Sequence, residues 1–306
     1  MTEKNVSRGH LAAFITIFIW GTTFISTKVL LKSFTPIEIL FIRFLIGYAA
    51  LWCVRPKFMP LRGRKQEGIF LLAGLCGICL YYLLENISLT FTQASNVGVI
   101  ISTAPFFTAI LTKLVSREKE QLGLPFFLGF IAAMAGICLI SFSDGGASLN
   151  PTGDILALLA AFIWACYSVL TKKISGYGYS TIETTRRVFF YGIMFMVPVM
   201  FFSGFRPDMK ALLVPVNLGN ILFLGLGASA LCFVTWNAAV RILGAVKTSV
   251  YIYLVPVITV TASVLILKEQ ITLKACIGML LTLAGLWISE HKWEYKRKSP
   301  CYTINK

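Results

Sequence analysis

F-I-W-G-T-T-F-I-S-T-K, residues 18–28, returns as F-I-W-A-C-Y-S-V-L-T-K at residues 162–172. Both copies sit in apolar runs and both close on a lysine. Moving outward, the repetition continues. Ile37-Glu38 recurs as Ile182-Glu183, and Arg43 is matched with Arg187. Asn86 then matches Asn237, Ala94 matches Ala245, Pro105 matches Pro256 and Glu118 matches Glu269. Gly129 and Gly136 finally match Gly278 and Gly285. The chain reads as one unit written twice.

Composition names the solvent. Of 306 residues, 57% are hydrophobic and 13% charged, with a mean hydropathy of +0.78. Soluble domains are about 45–50% apolar and about 25% charged, because their outer surface must meet water. An integral membrane protein is expected. About 20 apolar residues cross the hydrocarbon core as a helix. Such runs fall near 10–31, 36–55, 68–88, 94–115, 122–142, 153–172, 181–203, 217–239, 246–267 and 271–290. The first run has the length of a span, and no A-x-A cleavage pattern follows it, so it is expected to stay.

The basic excess, Lys+Arg 28 against Asp+Glu 13, does not form the concentrated face that nucleic acid requires. It falls in short breaks such as Arg55, Lys57, Arg62, Arg64 and Lys65, and again in Lys172, Lys173, Arg241, Lys292, Lys296, Arg297 and Lys298. By the positive-inside rule those breaks and both termini are cytoplasmic. The linker S-F-S-D-G-G-A-S-L-N-P-T-G-D (141–154) carries no basic residue and is placed outside. The expected localisation is the inner or plasma membrane. Seven of the eight cysteines lie in apolar runs, where Cys packs as a small residue. The two histidines, His10 and His291, lie at helix ends. No metal site and no bound cofactor are implied.

Five spans precede the linker and five follow it. Five is odd, so the second unit enters the membrane from the opposite side. The expected fold is all-α: ten transmembrane helices as two inverted five-helix repeats around a central cavity. The repeats are drawn at 9–142 and 153–290, with an extracytoplasmic linker at 143–152 and a basic cytoplasmic tail at 291–306.

The paired F-I-W-x6-T-K segments, A-x10-P-x12-E in both halves and the closing G-x6-G resemble the EamA-like branch of the drug/metabolite transporter superfamily. The resemblance runs from about residue 9 to residue 290. It implies a ten-helix transporter with a central cavity, often an exporter of amino acids or other small metabolites.

The candidate site comes from the residues themselves. Trp20, Thr23 and Thr27 share one face of the first span, and Trp164, Tyr167, Ser168 and Thr171 share the matching face of the sixth. Rings can hold the apolar body of a solute while hydroxyls bind its polar groups. Asn86 and Asn237 are matched polar residues at depth. Glu85, beside Asn86, has no acidic twin, since Trp236 stands at its equivalent. A lone carboxylate within a span is a functional candidate; its roles are carrying a coupling proton or pairing with a cationic substrate group. Tyr82, Ser102 and Tyr253 complete the expected lining: Trp20, Thr23, Tyr82, Glu85, Asn86, Ser102, Trp164, Tyr167, Ser168, Trp236, Asn237 and Tyr253. Pro105 and Pro256 lie mid-span, where a missing backbone donor weakens the helix, and are expected hinges. Arg43 and Arg187 are given a structural role first and anion binding second, with Glu183 as a partner for Arg187. Glu118 and Glu269 are read as interface residues.

The expected function is secondary-active transport, as an exporter, of a small organic metabolite such as an amino acid, by alternating access. Its partners are the solute, the bilayer and, as a coupling ion, the proton. A passive channel or membrane receptor is the alternative. An intramembrane enzyme ranks lower, because no histidine is placed mid-membrane and Asp144, Asp154 and Asp208 are scattered in loops. No P-loop motif is present, so the chain does not hydrolyse ATP itself.

Overall fold

In hydrocarbon a backbone must satisfy its own polar groups, and a helix does so within one segment. Helix is accordingly the regular structure of the described residues. The computed structural model describes residues 3–60, 63–92, 94–115, 123–141, 150–267 and 272–295. Glu118, Glu269, most of the linker and the end of the tail lie outside them.

Besides a short helix at Met209–Leu213, the helices among the described residues are α1 (Glu3–Leu30), α2 (Pro36–Val54), α3 (Arg64–Phe91), α4 (in two pieces, Ala94–Ile101 and Ala104–Val115), α5 (Leu124–Ser141), α6 (Pro151–Ser175), α7 (Thr181–Phe202), α8 (Pro215–Leu243), α9 (Ala245–Ser249 continuing to Leu254–Leu267) and α10 (Leu273–Tyr295). Six of them, α1, α2, α3, α6, α7 and α8, are long and apolar enough to cross a membrane. The other four carry shorter apolar helices, at the places of the remaining expected spans. Starts are written locally. Pro36, Pro151 and Pro215 open their helices, where the missing N–H costs nothing. Glu38 accepts the Thr35 backbone N–H at 2.8 Å.

Four helices depart from regular α geometry in two matched pairs. Within α3, Leu75–Leu80 is a π-helical segment, and within α8 the equivalent stretch Phe223–Leu231 is another. α4 breaks at Ser102 and Thr103, while α9 passes through a 3₁₀ turn at Val250–Tyr253. Those two interruptions stand just before Pro105 and Pro256, whose rings remove the bond to the carbonyl four residues back.

The principal contacts join one half to the other. α1 packs on α8 and α9, and α6 packs equivalently on α3 and α4. α2 lies on α7 and α8, α7 lies on α2 and α3, and α5 pairs with α10. Inversion is visible in that last pair. A Cβ at Gly129 would meet the Gly285 carbonyl at 2.6 Å, and one at Gly136 would meet the Gly278 carbonyl at 2.5 Å. Residue number rises along one helix as it falls along the other, so these repeat-equivalent helices run antiparallel. Only glycine lets backbones come so near. α2 and α7 likewise run antiparallel: Glu38 accepts from the Arg206 N–H at one end, and Arg55 pairs with Glu183 at the other.

Two details of the sequence reading change. The register set by Glu38 with Glu183, and by Gly47 with Gly192, places Val188 opposite Arg43 rather than Arg187. Nor does Glu183 pair with Arg187 one turn along its own helix. Glu183 takes Arg55 at 2.6 Å, and Arg187 takes Glu67 at 2.7 Å. These partners reach across helices and tie α7 to α2 and α3 at one end of the bundle. Large apolar side chains such as Phe14, Phe18, Leu45, Ile131 and Phe201 stay exposed, presenting an outer surface suited to lipid.

Candidate solute site

The matched faces of α1 and α6 meet at the centre. Trp20 lies edge-on to Trp164 with ring centroids 5.2 Å apart, and Trp236 of α8 lies 5.2 Å from Trp20 and 5.7 Å from Trp164. Phe233, one turn before Trp236, touches Trp20 at 5.8 Å and Tyr82 at 6.0 Å. Tyr81 reaches Trp164 at 4.7 Å, and Tyr167 lies 5.1 Å from the same ring. Phe44 and Phe189, twins on α2 and α7, meet edge-on at 5.0 Å and close one side. Ring pairs at these separations add about 0.5–1.5 kcal/mol each beyond burial. The rings of the expected lining thus touch one another.

The π segment of α8 explains how Trp20 is held. The Cys232 N–H bonds to Gly227 and Ser229, passing over the Ala228 carbonyl. That bypassed carbonyl takes the Trp20 indole N–H at 2.9 Å. Trp164, the twin of Trp20, is 2% exposed, yet its Nε1 has no hydrogen-bond partner; Nε1 of the fully buried Trp236 has none either.

The polar candidates divide into three groups. Thr23, Ser168 and Ser102 donate to carbonyls of their own helices, those of Trp20 at 2.7 Å, Trp164 at 3.0 Å and Gly98 at 2.7 Å. Asn237 accepts from the Tyr167 hydroxyl and donates to Thr185 Oγ1, both at 2.9 Å, whereas Asn86 donates to the Pro36 carbonyl at 3.3 Å. Glu85 is buried near Tyr81 and Arg43, and its Oε2 has no hydrogen-bond partner. Tyr253 stands apart. It packs with Ala109, Phe126 and Ala133, in a cluster of α4, α5 and α9 separate from the central rings.

A family model described as the EamA-like transporter family matches residues 7–142 and again residues 151–289. The chain belongs to the EamA-like transporter family. Among its relatives, an uncharacterized transporter of Archaeoglobus fulgidus is 29% identical, the match covering 94% of this chain and 98% of that one. The uncharacterized transporter YdfC of Bacillus subtilis is 28% identical, covering 88% and 87%. A probable terminal-alkyne amino-acid exporter of Streptantibioticus cattleyicolor is 23% identical, covering 96% and 97%. A solved crystal structure shares the fold with a TM-score of 0.76 at 19% identity, over 96% of this chain and 99% of that one.

Within this EamA-like fold the sequence reading missed Phe44, Phe189 and Phe233. A signal existed: Phe233 is the repeat twin of Tyr82, and Phe44 is the twin of Phe189. Two clefts open at the end of the bundle that carries Arg55 and Glu183. One, bounded by Thr171, Tyr179, Thr184, Asn237 and Arg241, holds about 20 Å³, enough for roughly one water. Asn237, which accepts from Tyr167, is part of its lining. The other, beside Trp52, Glu183 and Arg186, holds about 170 Å³.

Proposed function

We propose that this multi-pass membrane protein is a secondary-active exporter of a small organic metabolite of the amino-acid type, working by alternating access. One observation carries the reading: matched aromatic faces from the two inverted halves meet ring to ring, Trp20 against Trp164. Inverted repeats meeting at a central site are the architecture of alternation, because rocking one half against the other exposes the site to each side in turn. Membership of a transporter family supports the transport function, and the relative named as an amino-acid exporter supports the solute class. The remaining lining residues, Thr23, Asn86, Ser102, Ser168 and Asn237, are proposed to bear on solute contact as the aromatic box opens, and Pro105 and Pro256 to act as hinges. Protons are proposed as the coupling ion, the buried carboxylate of Glu85 exchanging its proton for the solute. Both termini are proposed to be cytoplasmic, in a cell membrane.

The test is a thermal-shift screen of purified protein against the common L-amino acids, with sugars and nucleosides as controls. A ligand that binds only the folded state stabilises by about 2.7 kcal/mol at a hundredfold excess over Kd, which raises Tm by several degrees. Shifts confined to amino acids are expected; shifts with sugars or nucleosides alone would contradict the solute class.

A further inference from the structure

Arg43 and Glu85 break the symmetry of the molecule. Their repeat equivalents are Val188 and Trp236, so the second half builds the same helices and the same packing with no charge at either position. The fold therefore does not require these charges. Both are nevertheless more than nine-tenths buried, Arg43 at 2% exposure and Glu85 at 7%. They lie on α2 and α3, which pack together, and the Arg43 guanidinium lies over the ring of Tyr82, one turn before Glu85.

The two form no direct ion pair with each other. The ion pairs among the described residues are Arg55–Glu183 and Arg187–Glu67. Arg43 is held separately: its Nε donates to Ser229 Oγ at 3.0 Å, and its guanidinium lies over the Tyr82 ring at 4.6 Å. Tyr81 stands one turn before Glu85 on α3. After these contacts Arg43 Nη2 and Glu85 Oε2 each still lack a hydrogen-bond partner. Buried charges left unsatisfied are unfavourable, and a buried atom without a partner in a native structure calls for one. Here the open positions are one donor of positive charge and one acceptor of negative charge, beside a wall of rings.

We propose that Arg43 and Glu85 form the polar subsite for a zwitterion, Arg43 taking a carboxylate and Glu85 an ammonium, with the apolar body directed to the aromatic box. A simple amine would leave Arg43 open and a simple acid would leave Glu85 open, so only a ligand with both ends satisfies the pair. The assignment rests on the transport reading above and deepens it by naming what the site recognises.

Binding to purified protein in detergent, measured by isothermal titration, tests it with L-phenylalanine, phenethylamine and 3-phenylpropanoate. The last two lack the carboxylate and the ammonium respectively. Wild type should bind each truncated ligand about thirtyfold or more weaker than the amino acid, the scale of leaving one buried charge unpaired. Arg43→Gln should weaken L-phenylalanine about as much while leaving phenethylamine within about threefold. Glu85→Gln should do the same for L-phenylalanine while sparing 3-phenylpropanoate. Equal affinities for the three ligands on wild type would overturn the subsite without involving any variant, so a variant that fails to fold does not shelter it. Variants that weaken all three ligands alike would make the pair structural. Normal L-phenylalanine affinity in Glu85→Gln, with accumulation driven by a pH gradient lost in proteoliposomes, would make Glu85 a proton carrier and overturn its ammonium role. Wild type that binds none of the three, nor any amino acid, overturns the solute class and the subsite together. Wild type that binds amino acids without discriminating against the truncated forms overturns the subsite alone.

Discussion

Tyr167 and Asn237 meet as side chains of α6 and α8 in a buried 2.9 Å hydrogen bond, and Asn237 is part of the lining of the smaller cleft. Asn237 also donates to Thr185, so both ends of its amide are used. Tyr167→Phe keeps the ring and strands the Asn237 carbonyl oxygen. A buried polar group left unpaired costs about 1–3 kcal/mol. The variant should melt several degrees lower than wild type in a thermal-denaturation assay. An unchanged midpoint would mean that water replaces the hydroxyl and that the cleft lining is wetter than drawn. The ion pairs at the same end carry less weight. Arg55 is 43% exposed, and solvent-screened pairs contribute about 0–1 kcal/mol. Glu183→Gln should leave the midpoint within about a degree.

Elements carry the motion and the close approaches. α4 and α9 are interrupted at matched places before Pro105 and Pro256. A proline hinge alters exchange between states without removing a ligand contact. Pro105→Ala and Pro256→Ala should therefore slow transport by more than about threefold while Kd stays within about twofold; transport at the normal rate in both would reduce the prolines to static kinks. The α5–α10 crossing predicts a sharper contrast. At Gly136 a Cβ would lie 2.5 Å from a backbone oxygen that cannot step aside, while at Gly68 in α3 it would meet nothing within 4 Å. Gly136→Val should destabilise by at least about 1–3 kcal/mol. Gly68→Ala should be neutral or stabilising by up to about 1 kcal/mol. Differential scanning calorimetry separates the two.

How much of this was legible follows from the same elements. Matched glycines, prolines and the two F-I-W phrases are identities, and an identity survives any error in placing a helix. Faces were legible where the helix is regular, as in α1 and α6, whose Trp20 and Trp164 rings lie 5.2 Å apart. Tyr253 sits in a 3₁₀ turn, where each residue advances about 120° rather than about 100°, so a face drawn with α spacing points it wrongly. Phe44 and Phe233 were legible only through the repeat, because phenylalanine in an apolar run by itself says nothing about facing lipid or core. Arg43 was matched one residue out of register, which hid the fact that it has no charged twin. The π segments were not legible, since C-G-I-C and G-L-G-A-S-A read as ordinary small-residue helix.

At the scale of the whole molecule, the antiparallel pairing of α5 with α10 and of α2 with α7 makes the halves an inverted pair. The basic loops then set the orientation. Single cysteines at Pro60 and Ala147, in a background without native thiols, should label oppositely: impermeant reagent on intact cells reaches position 147 and not position 60. The reverse pattern would turn the molecule over in the membrane. Alternating access makes one demand that neither a channel nor a receptor shares, and proteoliposome counterflow measures it. Vesicles are loaded with an unlabelled amino acid that shifts Tm, then diluted into trace label of the same compound. Transient, saturable accumulation of label above its equilibrium level is the predicted result. Label that only equilibrates, at a rate linear in concentration and indifferent to the solute inside, would contradict it.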